Sequence, residues 1–283
     1  MLLRRVISHV RNQEWTAIGI DFVIVVVGVF IGIQVSNWND ARLREETARS
    51  YIERIREDLR GNKDDLSQRL AYFSQVRAHA LKALEALDKP QATLDEQFVI
   101  DVYQATHMLQ RELGRDTYDE ILSVGANNAI SDVAVRQRLS NFYRSVKAQL
   151  RLLDIVPLYR EIIRTNYPYS VSREIRSSCG DIVETGEAGE PIIALPKQCA
   201  PDLSAEQIAQ TIKAVVAIDV RKNLVRRLTN LDAKLWAIQL MLDRIKLLDE
   251  HLNDLIGNPK SLRMSASRPE SVSQATSAIL LQT

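Results

Sequence analysis

Residues 17–33 read AIGIDFVIVVVGVFIGI, and Asp21 is the only charged residue among them. The run is apolar on every helical face. Trp15 and Trp38 bracket it, as expected for indoles placed at two membrane interfaces. The stretch from Trp15 to Trp38, 24 residues inclusive, is about 36 Å of helix at ~1.5 Å per residue. That length crosses a hydrocarbon core of about 30 Å. The sequence therefore predicts one transmembrane anchor over 15–38, after a basic stub over 1–14. Two alternatives stand beside it, a buried helix of a soluble protein and a cleaved signal peptide. Against the first is apolarity all round the helix. Against the second are the length of the run and the lack of an Ala-x-Ala junction.

An acid inside an apolar span is costly. Asp21 lies near the start of the span, where it can reach the hydrated interface. It also shares a face with two glycines. At ~100° per residue, Asp21 and Gly28 point within about 20° of each other, and Gly32 follows Gly28 by one turn. Gly28-x-x-x-Gly32 is a small-residue groove of the kind that lets helices approach closely. The expected role of Asp21, Gly28 and Gly32 is a helix-packing face, serving a homo-oligomer or another membrane protein. GxxxG alone is a weak motif. Beyond the span, Asn37, Trp38 and Asn39 read as interfacial anchors, with polar amides meeting headgroups and an indole at the boundary. A partner-docking collar is the alternative for that trio.

The stretch from Gly19-Ile20-Asp21 to Gln34-Val35-Ser36-Asn37-Trp38-Asn39-Asp40-Ala41-Arg42 resembles an uncharacterised bacterial family of single-pass proteins. Residues 117–125 (TYDEILSVG) and 139–143 (LSNFY) are similar to its middle region. The likeness is strong over 15–45, patchy over 50–160 and absent from the cysteine segment and the tail. It implies a bacterial membrane protein and supplies neither an activity nor catalytic residues.

Outward from the span the pattern turns amphipathic. Ala48, Ile52, Ile55 and Leu59, then Leu66, Leu70, Phe73, Leu81, Leu84 and Leu87, recur at helical spacing. They suit a coiled-coil-like stalk or the first helix of a bundle, with a kink at Gly61-Asn62 and an end at Lys89-Pro90. A second helix is expected over 95–113, capped by Thr93 or Asp95, and a third over 117–124, stopping at Gly125. A fourth begins at Ser131-Asp132, carries Val135, Leu139, Phe142, Val146, Leu150 and Leu153 on one face, and is interrupted by Pro157. Ser204 and Gln207 form a capping box for a last helix reaching Ile256, where Gly257-Asn258-Pro259 ends it. The fold class is all-α: the transmembrane helix, then an antiparallel helical bundle over 39–256, then a flexible tail over 257–283.

Cys179 and Cys199 are the only cysteines. They bracket a Gly- and Pro-containing segment inside an irregular loop expected over 165–203. Pairing would close a loop worth ~3 kcal/mol in the chain-entropy model and would point to an oxidising compartment. Two free thiols in a cytosolic domain are the alternative. Basic residues lean only slightly to the N-terminal side of the span. With the cysteines, they favour a cytoplasmic N-terminus in a bacterial inner membrane and a periplasmic or extracellular domain.

Net charge is +1, which gives no electrostatic reason to expect nucleic acid. His9, His79, His107 and His251 stand at no metal-ligand spacing, and no phosphate loop or nucleophile motif occurs. No cofactor is expected. His107 reads as a core or boundary residue, and Asp116, Tyr118, Asp119 and Glu120 as a helix cap with a solvated face. Two functional classes remain. One is a membrane-anchored interaction or sensor-like module. The other is an extracytoplasmic enzyme or ligand-binding domain, its site at the cysteine loop or near Tyr118. If Cys179 and Cys199 are paired outside the cytoplasm, both resist thiol reagents in denatured, unreduced protein from intact cells and accept them after reduction. Full labelling before reduction would place the domain in the cytoplasm.

Overall fold

The computed structural model describes residues 15–125, 130, 132–186 and 189–257, with side chains from Gly19 onward. The basic stub with His9, Ser131 and the tail beyond Gly257 lie outside the described residues. The fold is helical, with one small hairpin. The helices are α1 (Trp15–Ala86), α2 (Glu96–Gln104), α3 (Asp116–Ser123), α4 (Val133–Asp154), α5 (Leu158–Asn166), α6 (Tyr169–Cys179), α7 (Ala205–Ala217) and α8 (Val220–Gly257). Strands β1 (Ile182–Thr185) and β2 (Pro191–Ala194) pair antiparallel, with Ile182 opposite Ala194.

Helix α1 has 72 residues and two characters. From Gly19 to Arg44 every side chain is exposed, and this part is long and apolar enough to cross a membrane. From Ala48 the same helix becomes the spine of the bundle. Tyr72 is buried beside a seam whose positions are Ala48, Ile52, Ile55, Leu59, Asn62, Leu66, Arg69, Phe73, Val76, Ala80 and Ala83. The steps between them alternate four and three without a fault. Helix α8 repeats the rule through Val220, Leu224, Arg227, Leu231, Lys234, Ile238, Met241, Ile245, Leu248, Leu252 and Leu255. A 3.5-residue period keeps one seam of each helix facing its partner.

The two helices run antiparallel. Arg49 donates to the Ile256 carbonyl at 3.3 Å at one end, and Arg221 pairs with Asp88 at 2.8 Å at the other. Between them Arg56 meets Asp249 and Arg77 meets Asp232, both at 2.6 Å. Helix α4 packs on α8, α2 and α3 on α1, and α5 and α7 fill the space between α2 and α8.

No kink interrupts α1 at Gly61-Asn62, contrary to the expectation from sequence. Gly61 is exposed, and the buried Asn62 holds a neighbour. Its Nδ2 donates to the Gly114 carbonyl and its Oδ1 accepts from the Gly114 N–H, both at 2.7 Å. The seam also runs through polar and small residues, Asn62, Arg69, Ala80 and Ala83, so Leu70, Leu81 and Leu84 sit at its flank.

Three further expectations need correction. The second helix stops at Gln104, and residues 107–115 cross the bundle without helical structure. Their carbonyls bond to side chains from other helices instead of continuing the turn. The last helix is two helices, broken at Asp219 with φ 51°. Aspartate tolerates that left-handed conformation, and Asn223 Nδ2 donates at 3.1 Å to the carbonyls of Ile218 and Asp219. Residues 165–203 hold α6 and the hairpin rather than an irregular loop.

Other local readings match. Asp95 accepts from Phe98 N–H, Asp132 from Ala134 and Val135 N–H, and Ser204 and Gln207 form a reciprocal capping box. Gly125 ends α3 at φ 66°, and Pro157 starts α5. Adjacent substitutions on α1 should have opposite effects. Asn62→Ala removes both side-chain hydrogen bonds to the exposed Gly114 backbone and destabilises the domain by about 1–2 kcal/mol. Gly61→Ala, with nothing within 4 Å of the added carbon, stabilises it by ~0.5–1 kcal/mol. Denaturant unfolding of the detergent-solubilised chain measures both.

Candidate functional site

The polar interior centres on the segment that leaves α2. Arg227, fully buried, donates from Nε to the Ala105 carbonyl at 2.8 Å and from Nη2 to the His107 carbonyl at 2.7 Å. Arg160 donates from Nη1 to the Thr106 carbonyl at 3.0 Å, and Arg164 from Nε to Thr106 Oγ1 at 3.0 Å. Three guanidinium groups from two helices thus converge on three consecutive residues. They meet the carbonyl end of α2, where cations are favoured by the helix dipole. Arg164 also lies over the Tyr103 ring, 5.1 Å from its centroid.

Beside them, Tyr72 from α1 donates to Asp181 Oδ1 at 2.8 Å, and its hydroxyl lies 3.2 Å from His107 Nδ1. His107 Nδ1 is also 3.2 Å from Asp181 Oδ1. Asp181 follows Cys179 by two residues, so this cluster ties the hairpin to α1. Cys179 and Cys199 are joined in a disulfide with Cα atoms 5.1 Å apart, and Gln104 donates to the Cys179 carbonyl at 2.7 Å. Arg111 pairs with Asp65 at 2.9 Å and reaches the Pro191 carbonyl of β2. The cysteine segment is therefore fastened at several points.

Burial sets the electrostatics. It would by itself raise the Asp181 carboxyl, but the hydrogen bond and charge of His107, and then Tyr72, hold it below its ordinary value. Burial pushes Arg227 down to about 10 and Lys234 down to about 8. Lys234 faces the end of α4, donating to the carbonyls of Leu153 and Ile155. Burial also pushes the phenols of Tyr72, Tyr143, Tyr159 and Tyr167 above 10. Tyr159 and Tyr167 donate to the carbonyls of Val102 at 2.8 Å and Val99 at 2.9 Å.

The remaining sequence candidates are placed as follows. Asp21, Gly28 and Gly32 fall on the exposed part of α1, and no atom lies within 4 Å of a carbon added to either glycine. Among the described residues nothing covers that face. Asn37, Trp38 and Asn39 are exposed, and Trp15 begins the helix. The acidic group near Tyr118 is a joint between helices. Asp58 of α1 accepts from Thr117 N–H at 3.0 Å, Glu120 pairs with Arg54, and Asp119 accepts from Arg115 at 2.6 Å. Tyr118 stacks on Tyr143 at 4.3 Å. His79 contacts Asp101 at 2.6 Å. Among the described residues, no three His, Cys, Asp or Glu side chains are grouped to hold a metal ion.

Tyr72, Asp181, Arg160 and Arg164 escaped the sequence reading, and Arg227, which with Arg226 reads from the sequence as charge on one side of an amphipathic helix and at best a weak anion site, is fully buried. The available signal was the seam itself, since continuing the four-three count through polar residues lands on Arg69, Arg227 and Lys234. Comparison with family models, characterised proteins and solved structures finds no match.

The four tyrosines give a pH dependence with a definite sign. As pH rises through 10, the unfolded chain releases phenolic protons that the folded chain keeps, so folding stability falls. The melting temperature should drop above pH 10, and these four of the eight tyrosines should form phenolate only with unfolding. Ionisation of more than four tyrosines in a fully folded domain would contradict the burial of these side chains.

Proposed function

We propose that this chain is a membrane-anchored interaction module, held in a bacterial inner membrane by residues 15–38, with its helical domain outside the cytoplasm. The observation that supports it is continuity. The exposed apolar part of α1 and the spine of the bundle are one helix, unbroken from Trp15 to Ala86. A change in tilt, rotation or partner of the span is thereby delivered to the seam between α1 and α8. The resemblance of residues 15–45 to a bacterial single-pass family supports the setting, and the disulfide supports an oxidising compartment.

In this reading the span associates through Asp21, Gly28 and Gly32, with a second copy as the preferred partner. Close packing of small residues replaces the missing hydrophobic drive in lipid. A ligand-binding domain is the second reading, favoured by the arginines gathered at Thr106.

The test is self-association in a bilayer, read by energy transfer between labelled full-length chains in vesicles. The wild-type chain should associate, and Gly28→Ile with Gly32→Ile should abolish association while the domain keeps its melting temperature. Equal association of both, or none in either, would remove the homodimer.

A further inference from the structure

Arg160 and Arg164 stand one turn apart on α5, and both are half-buried. Each spends one N–H on Thr106. A guanidinium carries five donors in a planar fork. Among the described residues neither arginine has a carboxylate within ion-pair distance, and the outer nitrogens of Arg164 have no hydrogen-bond acceptor. Arg227 lies behind them, with a buried Nη1 that has no partner. Arg176 of α6 is exposed and near enough to oppose the charge on Arg164.

Three guanidinium groups thus converge on residues 105–107, with Arg176 on the neighbouring helix. The acid beside them is Asp181, already engaged by Tyr72 and His107. Asp101, the next acid inward, is taken by His79 and Gln97. Like charges brought together in a partly desolvated place repel, and carbonyl dipoles offset this only in part. An anion would offset it fully. Paired donors from adjacent forks suit the tetrahedral or planar oxygens of phosphate or carboxylate groups.

We propose that Arg160 and Arg164, with Arg176 at the rim and Arg227 behind, form a binding site for a small oxyanion, a phosphate or a carboxylate, on the flank of the bundle far from the membrane. Tyr72 fixes the height. It lies 34 residues beyond Trp38 on α1, about 50 Å along the helix at ~1.5 Å per residue. Headgroups of the anchoring bilayer are out of reach, so the ligand is a soluble one. Asp181 acts as a competing anion at the edge of the site. The arginines and Asp181 hold their places whether or not the span dimerises, so the site is independent of the association face. Only the exclusion of lipid rests on the anchored reading.

The probe is inorganic phosphate, titrated into the full chain in neutral detergent at constant ionic strength set with sodium chloride, with binding read by calorimetry and melting temperature. Phosphate should bind and stabilise where chloride does not. Arg164→Gln should weaken binding about tenfold, the loss expected for one charge-assisted contact. Arg160→Gln with Arg164→Gln should abolish it. Asp181→Asn, which keeps the acceptor oxygen for Tyr72 but removes the competing charge, should tighten binding several-fold. That gain, with a loss in the exposed Arg176→Gln variant, keeps the test decisive if the double variant fails to fold. Phosphate stabilising no more than chloride would overturn the proposal, as would unchanged affinity in Arg164→Gln and Arg176→Gln. Nanodiscs of phosphatidylcholine and of phosphatidylglycerol separate the sources. Equal phosphate affinity on both fits a soluble ligand, whereas competition on the anionic disc alone would assign the site to headgroups and refute the soluble one.

Discussion

A helix with 3.6 residues per turn keeps one face against a neighbour over many turns only if the buried positions recur every 3.5 residues. The bundle depends on that constraint. From Ala48 to Ala83 on α1, and from Val220 to Leu255 on α8, a seam of buried residues recurs at four-three spacing, with Tyr72, Asn223, Leu228 and Ala237 buried beside it. The arginine–aspartate pairs along the flanks are partly exposed and contribute little in water. They mark the register of the two helices, and the apolar seam supplies the stabilisation. The shorter helices pack against this pair.

The seam tolerates Asn62, Arg69, Arg227 and Lys234 because a second problem is solved at the same places. Residues 105–115 and the end of α4 bring non-helical backbone into the interior. Buried carbonyls without donors are costly. Asn62 serves Gly114, Arg227 serves Ala105 and His107, and Lys234 serves Leu153 and Ile155. The cationic side chains lose hydration and gain charge-assisted bonds to dipoles. Removing either half alone would leave the other unsatisfied. The concentration of charge at Thr106 therefore has a structural origin, and unused donors remain at its outer edge.

The exposed apolar segment and the domain share one helix, which matters for mechanics. A flexible linker would decouple a span from its domain, whereas an unbroken helix transmits rotation and tilt with little loss. Nothing between Ile33 and Ala86 offers a hinge. The segment contains no proline, and Gly61, its one glycine, sits in regular helix. Tyr72 holds Asp181 and Gln75 accepts from the Leu195 N–H, so the hairpin is fastened against that same helix.

Apolarity, periodicity and capping chemistry were legible in the sequence because they are local. They gave an apolar helix long enough to cross a membrane, the all-α class, the caps at Asp95, Asp132 and Ser204, the stop at Gly125 and the break at Pro157. Cys179 and Cys199 could be suspected as partners, but only the fold brings them together. Where helices stop without a local signal, as at Gln104 and Asp219, the decision belongs to tertiary contacts. Arginines from α5 and α8 draw carbonyls away from α2, and Asn223 supports a left-handed aspartate. The candidate site is tertiary in the same sense. Tyr72, Thr106, Arg160, Asp181 and Arg227 are scattered over 156 positions of the chain (227 − 72 + 1), and no spacing among them is periodic. The sequence by itself determined which faces are apolar and where the chain can turn. Only the packed structure decided which buried charges meet which backbone groups, because desolvation and hydrogen-bond geometry act between segments that are distant in sequence.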